Sequence, residues 1–146
     1  MNNRINRIHE RALRLVYQDN TLSFNELLEL DNSVKIHHRN LQVLVTEIFK
    51  VKNGLAPEIM KEVFEFQHPP YTLRTESNHF KRNNVKTTNY GIQSIRYLGP
   101  KLWDLVPNDM KNVSSLSEFK RLIKSWKPNE CPCRLCRNYI AQVGFI

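Results

Sequence analysis

The chain has 146 residues and a hydrophobic content of 40%, which is enough for one domain with a buried core and too high for wholesale disorder. No apolar run approaches the ~20 residues that a membrane span needs, and no apolar signal core follows the first charges. The composition therefore favours a cytoplasmic or nuclear protein that is not secreted and has no membrane partner.

The net charge of +8 is distributed unevenly along the chain. Residues 1–71 carry nine Lys/Arg and nine Asp/Glu, whereas residues 72–146 carry thirteen Lys/Arg and five Asp/Glu. The whole excess therefore lies in the second half. A one-sided basic field is typical of proteins that bind a polyanion, most often nucleic acid, although solubility alone is the other reading.

The first predicted element is an amphipathic helix over residues 3–17. A second stripe, made of arginines, lies beside its apolar stripe. These arginines either bind an anionic partner, such as phosphate or an acidic protein, or form a solvated face whose aliphatic stems cover apolar surface. The solvated face is the commoner of the two. The apolar stripe comprises Ile5, Ile8, Ala12, Leu15 and Val16, and the arginines are Arg4, Arg7, Arg11 and Arg14.

Three more helices complete a predicted helical body over residues 1–66. Ser23 and Glu26 have the spacing of a capping box, and a short helix follows that buries Phe24, Leu27, Leu28 and Leu30. The longest helix spans residues 33–52, with Gly54 as a left-handed cap and Pro57 at the start of the next helix. That next helix packs Ile59, Val63 and Phe66 into the body. His37 and His38 on the long helix are either a ligand or base, or partly buried structural residues.

Residues 67–98 form a predicted basic and aromatic segment that is partly extended. A binding site for single-stranded nucleic acid combines cations, which neutralise phosphate, with aromatic rings, which stack on bases. A surface arm that packs on the helical body would have the same pattern. Short strands are possible at 71–74, 84–88 and 93–98. The candidate nucleic-acid contacts in this segment are Arg74, Phe80, Lys81, Arg82, Lys86, Tyr90 and Arg96.

Residues 99–127 are predicted to form helices that dock on the body. A short helix begins at Pro100, buries Leu102, Trp103 and Leu105, and stops near Pro107. A second capping box, Ser115 with Glu118, begins a helix with a basic outer surface. Its buried face comprises Leu116, Phe119, Leu122, Ile123 and Trp126, and its cations are Lys120, Arg121, Lys124 and Lys127, of which Lys120 and Lys124 join the candidate contacts.

The tail over residues 128–146 contains every cysteine of the chain. Cys131, Cys133 and Cys136 have C-x-C-x-x-C spacing, and a C-x-x-C turn brings two sulfurs to one Zn²⁺. Arg134 and Arg137 lower the expected thiol pKa values and are further candidate contacts. Because no Cys or His follows, the fourth zinc ligand is a distant histidine or water, and ordinary free thiols are the alternative. The expected architecture is mainly α, with five to six helices. Zn²⁺ is the one candidate cofactor, and this cluster is its candidate site.

Four blocks of sequence carry a family resemblance. They are IHHRNLQ at 36–42, FKVKNGL at 49–55, SIRYLGPKLWD at 94–104 and CPCRLC at 131–136. In combination the chain resembles, over essentially its whole length, the C-terminal region of reverse transcriptases from non-LTR (LINE-type, jockey-like) retrotransposons. The family's enzymes copy RNA into DNA with two Mg²⁺ ions held by a pair of aspartates.

The resemblance implies a non-catalytic C-terminal segment of an RNA-directed DNA polymerase. The chain has no F/Y-x-D-D motif and no adjacent aspartate pair, so the isolated chain is not expected to be an enzyme. The implied partners are template RNA or target DNA, together with the remainder of the reverse transcriptase. The alternative is a structural module that packs on the polymerase thumb or a host protein without binding nucleic acid.

Overall fold

Seven α-helices and no β-strand make up the described part of the chain in this computed structural model, which confirms the mainly α prediction. The described residues are 2–66, 79–81, 84–87, 91 and 94–128. None of their helices is both long and apolar enough to cross a bilayer. The helices are α1 (Asn2–Tyr17), α2 (Phe24–Leu30), α3 (Ile36–Lys52), α4 (Ile59–Val63), α5 (Ile95–Asp104), α6 (Asn108–Lys111) and α7 (Leu116–Ile123).

The chain divides into two compact units, residues 1–41 and residues 42–146. In the first unit a small leucine core joins α1 to α2. Leu13 of α1 is buried against Leu27 and Leu28 of α2, and the partly buried Tyr17, Leu22 and Phe24 pack around them. Burying three leucines contributes roughly 5–9 kcal/mol of hydrophobic free energy before entropy is subtracted.

Both ends of α2 are capped, and the sequence predicts the first of the two caps. The Glu26 carboxylate accepts a hydrogen bond of 2.6 Å from the Ser23 amide, and the Glu26 amide donates to Ser23 Oγ at 3.3 Å. The predicted capping box is therefore confirmed. At the other end Asn32 has φ +52°, and the Ser33 amide donates to the Leu28 carbonyl at 2.8 Å. This is the bond of a Schellman motif, with asparagine in place of glycine.

The apolar stripe of α1 is not the surface that holds the first unit together. Ile8, Leu15 and Val16 are 67%, 79% and 71% exposed, and Ile5 and Ala12 are exposed as well. Leu13, which lies off the predicted stripe, makes the core contact instead. Leu30 is likewise exposed, so its predicted burial is wrong.

An aromatic cluster forms the core of the second unit. The rings of Phe49 on α3 and Phe119 on α7 are stacked, with centroids 4.0 Å apart. Trp103 on α5 lies beside Phe119 and meets Phe80 edge to face at 5.9 Å. Phe64 and Phe66 pack against Phe80 in turn. The predicted burial of Trp103 and Trp126 is confirmed.

The end of α3 is a Schellman motif built on glycine. Gly54 has φ +70°, where a side chain is unfavourable, and its amide donates to the Val51 carbonyl. The Leu55 amide donates to the Lys50 carbonyl at 2.8 Å, so the predicted left-handed cap is confirmed. In the helix that follows, Ile59 is exposed rather than packed, which corrects the predicted burial.

Helix α5 begins five residues earlier than predicted and includes a proline. The helix begins at Ile95. Residues 95–98, which were part of a possible strand at 93–98, are therefore helical, and the strand prediction is wrong there. The prediction placed Pro100 at the helix start, where proline fits best, but it lies inside α5 and removes one backbone donor there. Burial of Pro100, Leu102 and Trp103 offsets that loss, whereas Leu105 is exposed, contrary to prediction.

The second predicted capping box is not formed. Ser115 is the residue before α7, but its side chain makes no bond to the helix backbone. Its hydroxyl is instead 2.7 Å from the hydroxyl of Ser117. The helix forms nevertheless, because its apolar face is covered: Phe119, Ile123 and Trp126 are buried as predicted.

Gly99 offers a direct test of the aromatic core. A Cβ at this position would overlap Cε1 of Phe64 and lie 3.4 Å from Cδ1 of Ile48. Gly→Ala inside a helix normally stabilises by ~0.5–1 kcal/mol, whereas overpacking costs about 1–3 kcal/mol. We expect Gly99→Ala to lower the free energy of unfolding, measured by urea denaturation. In the double variant Gly99→Ala/Phe64→Leu the two effects should be less than additive; an increase in stability from Gly99→Ala alone would contradict the packing.

Candidate nucleic-acid interface

Exposed cations lie on the outer surface of α7 and in the residues that follow it: Lys124 is the C-cap of the helix and Lys127 lies beyond it. We call this surface the α7 basic face and define it by four residues. Lys120 and Lys124 lie one turn apart and therefore share a side of the helix. The one acidic side chain among residues 115–128 is Glu118. The four cations, all exposed, are Lys120, Arg121, Lys124 and Lys127.

None of these four cations forms an ion pair with a carboxylate of the described residues, in contrast to four other described cations, three of which illustrate the difference. Lys50 lies 2.7 Å from Glu47, Lys61 lies 3.9 Å from Glu58, and Arg14 lies 2.8 Å from Glu10. Within the described ranges no such ion pair involves the α7 basic face. Its charge is therefore not neutralised locally and is available to an external anion.

Two contacts hold the α7 basic face in place. On its inner side the Phe119 ring stacks on Phe49, which fixes α7 against α3. Beyond its last turn, the buried Gln42 side chain donates through Nε2 to the Lys124 carbonyl at 3.0 Å and to the Trp126 carbonyl at 2.9 Å. Both carbonyls lie just beyond the last residue of α7. The backbone that carries Lys124 is thus tied to α3 at a defined position.

Two further lysines lie over the Trp103 ring and do not belong to the surface. Lys52 Nζ and Lys111 Nζ lie 5.7 and 5.8 Å from the ring centroid. Lys52 also donates to the Lys111 carbonyl at 3.0 Å. Burial lowers the pKa of the Lys111 ammonium, and nearby Lys52 acts in the same direction while Asp104 opposes it. Because Lys111 is buried, it serves packing rather than contact with a polyanion.

Phe80 must be removed from the candidate contacts. Its side chain is buried between Phe64, Phe66 and Trp103, so its ring has no free face on which a base can stack. A single antiparallel bridge between Phe66 and Phe80 brings this segment against the end of the helical body. His79 Nδ1 lies 2.7 Å from Asp104 Oδ1 and ties the same segment to α5.

The remaining described candidates lie outside the α7 basic face. Lys81 is exposed but lies 3.0 Å from the Glu65 carboxylate, and Arg96 is exposed with its guanidinium donating to the Glu62 carbonyl at 3.1 Å. Lys86 is exposed in a stretch without regular structure. Of the candidates that the structure describes, Lys120 and Lys124 lie one turn apart, and Lys81 and Arg96 both contact the region of α4, at Glu65 and Glu62. Outside the described residues lie Arg74, Arg82, Tyr90, Arg134, Arg137, Cys131, Cys133 and Cys136.

No metal site is formed by the residues that the structure describes, since they contain no group of three or more His, Cys, Asp or Glu side chains suited to an ion. The zinc prediction concerns cysteines outside those residues and stays a prediction. The His37 and His38 rings have centroids 6.0 Å apart at the start of α3. Burial lowers the pKa of His37, as expected for a half-buried structural histidine.

Two members of the α7 basic face were not among the sequence-based candidates. Arg121 and Lys127 are exposed like Lys120 and Lys124. Helical spacing was sufficient to include Arg121, whereas Lys127 lies beyond the end of α7. Gln42 was also missed. The sequence carried no signal for it, because a glutamine on an apolar helix face does not indicate which distant carbonyls it will meet.

Comparisons with known proteins give no assignment. No protein-family model matches the chain, and neither the curated proteins nor the solved structures contain a significant match.

Replacement of Gln42 tests how the α7 basic face is held. Gln42→Leu preserves size but removes the donor to two carbonyls, so we expect a loss of roughly 1–3 kcal/mol in the free energy of unfolding. Gln42→Glu should lose more, because a carboxylate would then face the Lys124 and Trp126 carbonyl oxygens. Urea denaturation of the three proteins measures both effects. Wild-type stability of Gln42→Leu would show that these bonds contribute nothing.

His37 predicts a pH dependence of stability. Its pKa in the folded chain is below the ordinary value of 6.5, so the unfolded chain binds the proton more readily. The contribution to stability is complete above about pH 6.5 and is lost as the pH falls towards the folded pKa. We expect His37→Gln to show a smaller decrease in melting temperature between pH 7.5 and 5.5 than the wild type. Equal decreases in the two proteins would contradict this assignment.

Proposed function

We propose that this chain is a non-catalytic segment of an RNA-directed DNA polymerase from a non-LTR retrotransposon, acting in the cytoplasm or nucleus, and that it contacts template RNA or target DNA. The polymerase origin is supported by the four sequence blocks, which include 36–42 and 94–104. Contact with nucleic acid is supported by a single structural observation: the α7 basic face presents four exposed cations without carboxylate partners among the described residues.

Phosphate is the part of the nucleic acid that suits this surface. Lysine and arginine side chains bind phosphate oxygens and release condensed counterions, so that affinity depends steeply on salt. Phosphate contacts position a protein on nucleic acid without reading its sequence. With Phe80 buried in the core, the described residues give less support to base stacking than the sequence pattern did. Binding with little sequence preference follows from this arrangement.

A double lysine variant tests the contact. In Lys120→Gln/Lys124→Gln the helix propensity is nearly unchanged, so loss of binding reports loss of charge. We expect weaker binding to a labelled single-stranded RNA, with the slope of log affinity against log salt reduced by ~1.4, because each phosphate contact on a single strand contributes ~0.7. Fluorescence anisotropy across a salt series provides both quantities.

The matched control is Lys50→Gln/Lys61→Gln. It removes the same charge from the same unit, but from lysines that are paired with Glu47 and Glu58. We expect this control to keep the wild-type slope within about 0.3. An equal reduction in both double variants would show that net charge, rather than the α7 basic face, determines the affinity.

The alternative is a packing module for the polymerase thumb or a host protein that does not bind nucleic acid. Wild-type binding that is absent or independent of salt would favour this alternative, because protein packing releases no condensed counterions. The polymerase origin is tested separately by the transcript upstream of Met1. An upstream reading frame with an aspartate-pair motif would support the origin, and the absence of polymerase motifs in every upstream frame would contradict it.

A further inference from the structure

Helix α1 presents an apolar surface that the first unit does not use. Five aliphatic side chains recur along the helix at the spacing of one face, over a length of about 17 Å. Three of them are more than two-thirds exposed. We call this surface the α1 stripe; it comprises Ile5, Ile8, Ala12, Leu15 and Val16.

The contacts of α1 within the first unit lie on another side of the helix. Leu13 packs on Leu27 and Leu28, and the His9 ring meets Phe24 edge to face with centroids 5.9 Å apart. The core of residues 1–41 is therefore complete without the α1 stripe. An apolar surface of this length beside a polar rim is typical of an interaction site, because water contact with it is unfavourable.

The charge beside the stripe is strongly positive. Helix α1 has four arginines and one glutamate, a net charge of +3. Arg14 is paired with Glu10 at 2.8 Å, whereas Arg4, Arg7 and Arg11 are exposed. A partner that covers the stripe must lie next to these guanidinium groups, so negative charge on that partner is favoured.

A cleft adjoins the C-terminal end of the stripe. Its volume is about 520 Å³, and its lining combines two arginines with an aliphatic side chain and the polar turn that follows α1. The wall of that turn is fixed, because Asp19 Oδ1 accepts hydrogen bonds from the Thr21 amide and hydroxyl at 2.6 and 2.7 Å. The arginines and the leucine together suit a carboxylate that is carried on an apolar stem. The lining comprises Arg11, Arg14, Leu15, Gln18 and Asn20.

The charge and the aliphatic side chains together select among possible occupants. Nucleic acid would engage the arginines but leave the aliphatic side chains in water. A second copy in α1-to-α1 contact would bring two helices of charge +3 together, which is unfavourable. An anionic lipid surface satisfies both features less well, because α1 exposes no Trp or Phe of the kind that anchors interfacial helices. An acidic amphipathic helix satisfies both.

We propose that α1 is a docking helix for an acidic amphipathic helix of a partner protein. The partner's aliphatic residues cover the α1 stripe, its flanking carboxylates pair with Arg4, Arg7 and Arg11, and one carboxylate enters the cleft beside Arg14. Helix-in-groove recognition of this type uses anchors at i, i+3, i+4 and i+7, which is the spacing of the stripe itself. This docking is separate from the contact with nucleic acid proposed for α7.

A designed peptide tests the proposal with the full chain. The probe is a fluorescein-labelled 18-residue helix with leucines at helical spacing and glutamates on both flanks, and the control peptide has glutamine at each glutamate position. We expect the glutamate peptide to bind and the glutamine peptide to bind at least tenfold more weakly. Failure of the glutamate peptide to bind at ~0.1 mM, or equal binding of both peptides, would overturn the proposal.

Two protein variants test whether the peptide binds to the α1 stripe or to any exposed aliphatic side chain. Ile8→Gln/Leu15→Gln should weaken binding of the glutamate peptide at least tenfold. The matched control, Val43→Gln/Leu55→Gln, alters two exposed aliphatic side chains elsewhere and should leave binding unchanged. Circular dichroism establishes that both variants are folded. Equal weakening in the two variants would overturn the assignment to α1.

The same variants also test whether lipid or RNA, rather than an acidic helix, binds to α1. Binding to phosphatidylserine vesicles that is lost in Ile8→Gln/Leu15→Gln, without binding of the glutamate peptide, would assign the stripe to lipid and overturn the proposal. Loss of RNA affinity in Arg7→Gln/Arg11→Gln, without peptide binding, would assign the arginines to phosphate and also overturn it. Retention of peptide binding in Lys120→Gln/Lys124→Gln would support the separation of the two surfaces.

Discussion

The stacked contact between Phe49 and Phe119 is the constraint on which the second unit depends. It fixes α7 against α3 at a ring separation of 4.0 Å and thereby determines which side of α7 is buried. The Gln42 amide then holds the carbonyls of Lys124 and Trp126, so that the end of α7 is fixed as well as its middle. The basic side is left outward because the aromatic side is occupied. Exposure of the cations is thus a consequence of core packing.

The same core also uses an aromatic ring that the sequence pattern placed at the surface. Phe80 joins Phe64, Phe66 and Trp103, and the close approach of Phe64 to Gly99 leaves no space for a side chain there. Removal of a phenylalanine ring from a core costs about 3–5 kcal/mol, whereas stacking of one base contributes about 1–3 kcal/mol. Burial of the Phe80 ring in the core is therefore more favourable than its exposure for stacking on a base.

Local chemistry made parts of the fold predictable. The capping box at Ser23 and the glycine cap at Gly54 depend on residues within a few positions, and both were predicted correctly. The start of α5 was predicted wrongly because its internal proline is offset by tertiary burial that local rules do not include. Ser115 does not cap α7; its hydroxyl lies 2.7 Å from the Ser117 hydroxyl instead. For the site, spacing was enough to identify Lys120 and Lys124, but the burial of Phe80 and the role of Gln42 depend on distant contacts.

The two basic surfaces differ in what lies beside the charge, and this difference decides the chemistry of their partners. On α7 the neighbouring apolar side chains Phe119, Ile123 and Trp126 are buried, so the cations act alone and suit phosphate. On α1 the arginines flank aliphatic side chains that are exposed, so a partner must supply apolar surface as well as negative charge. In the two proposed interactions, association through α7 would be governed by counterion release, whereas association through α1 would bury apolar area and carry a negative heat-capacity change. Charge of one sign can therefore serve two distinct kinds of recognition in one chain.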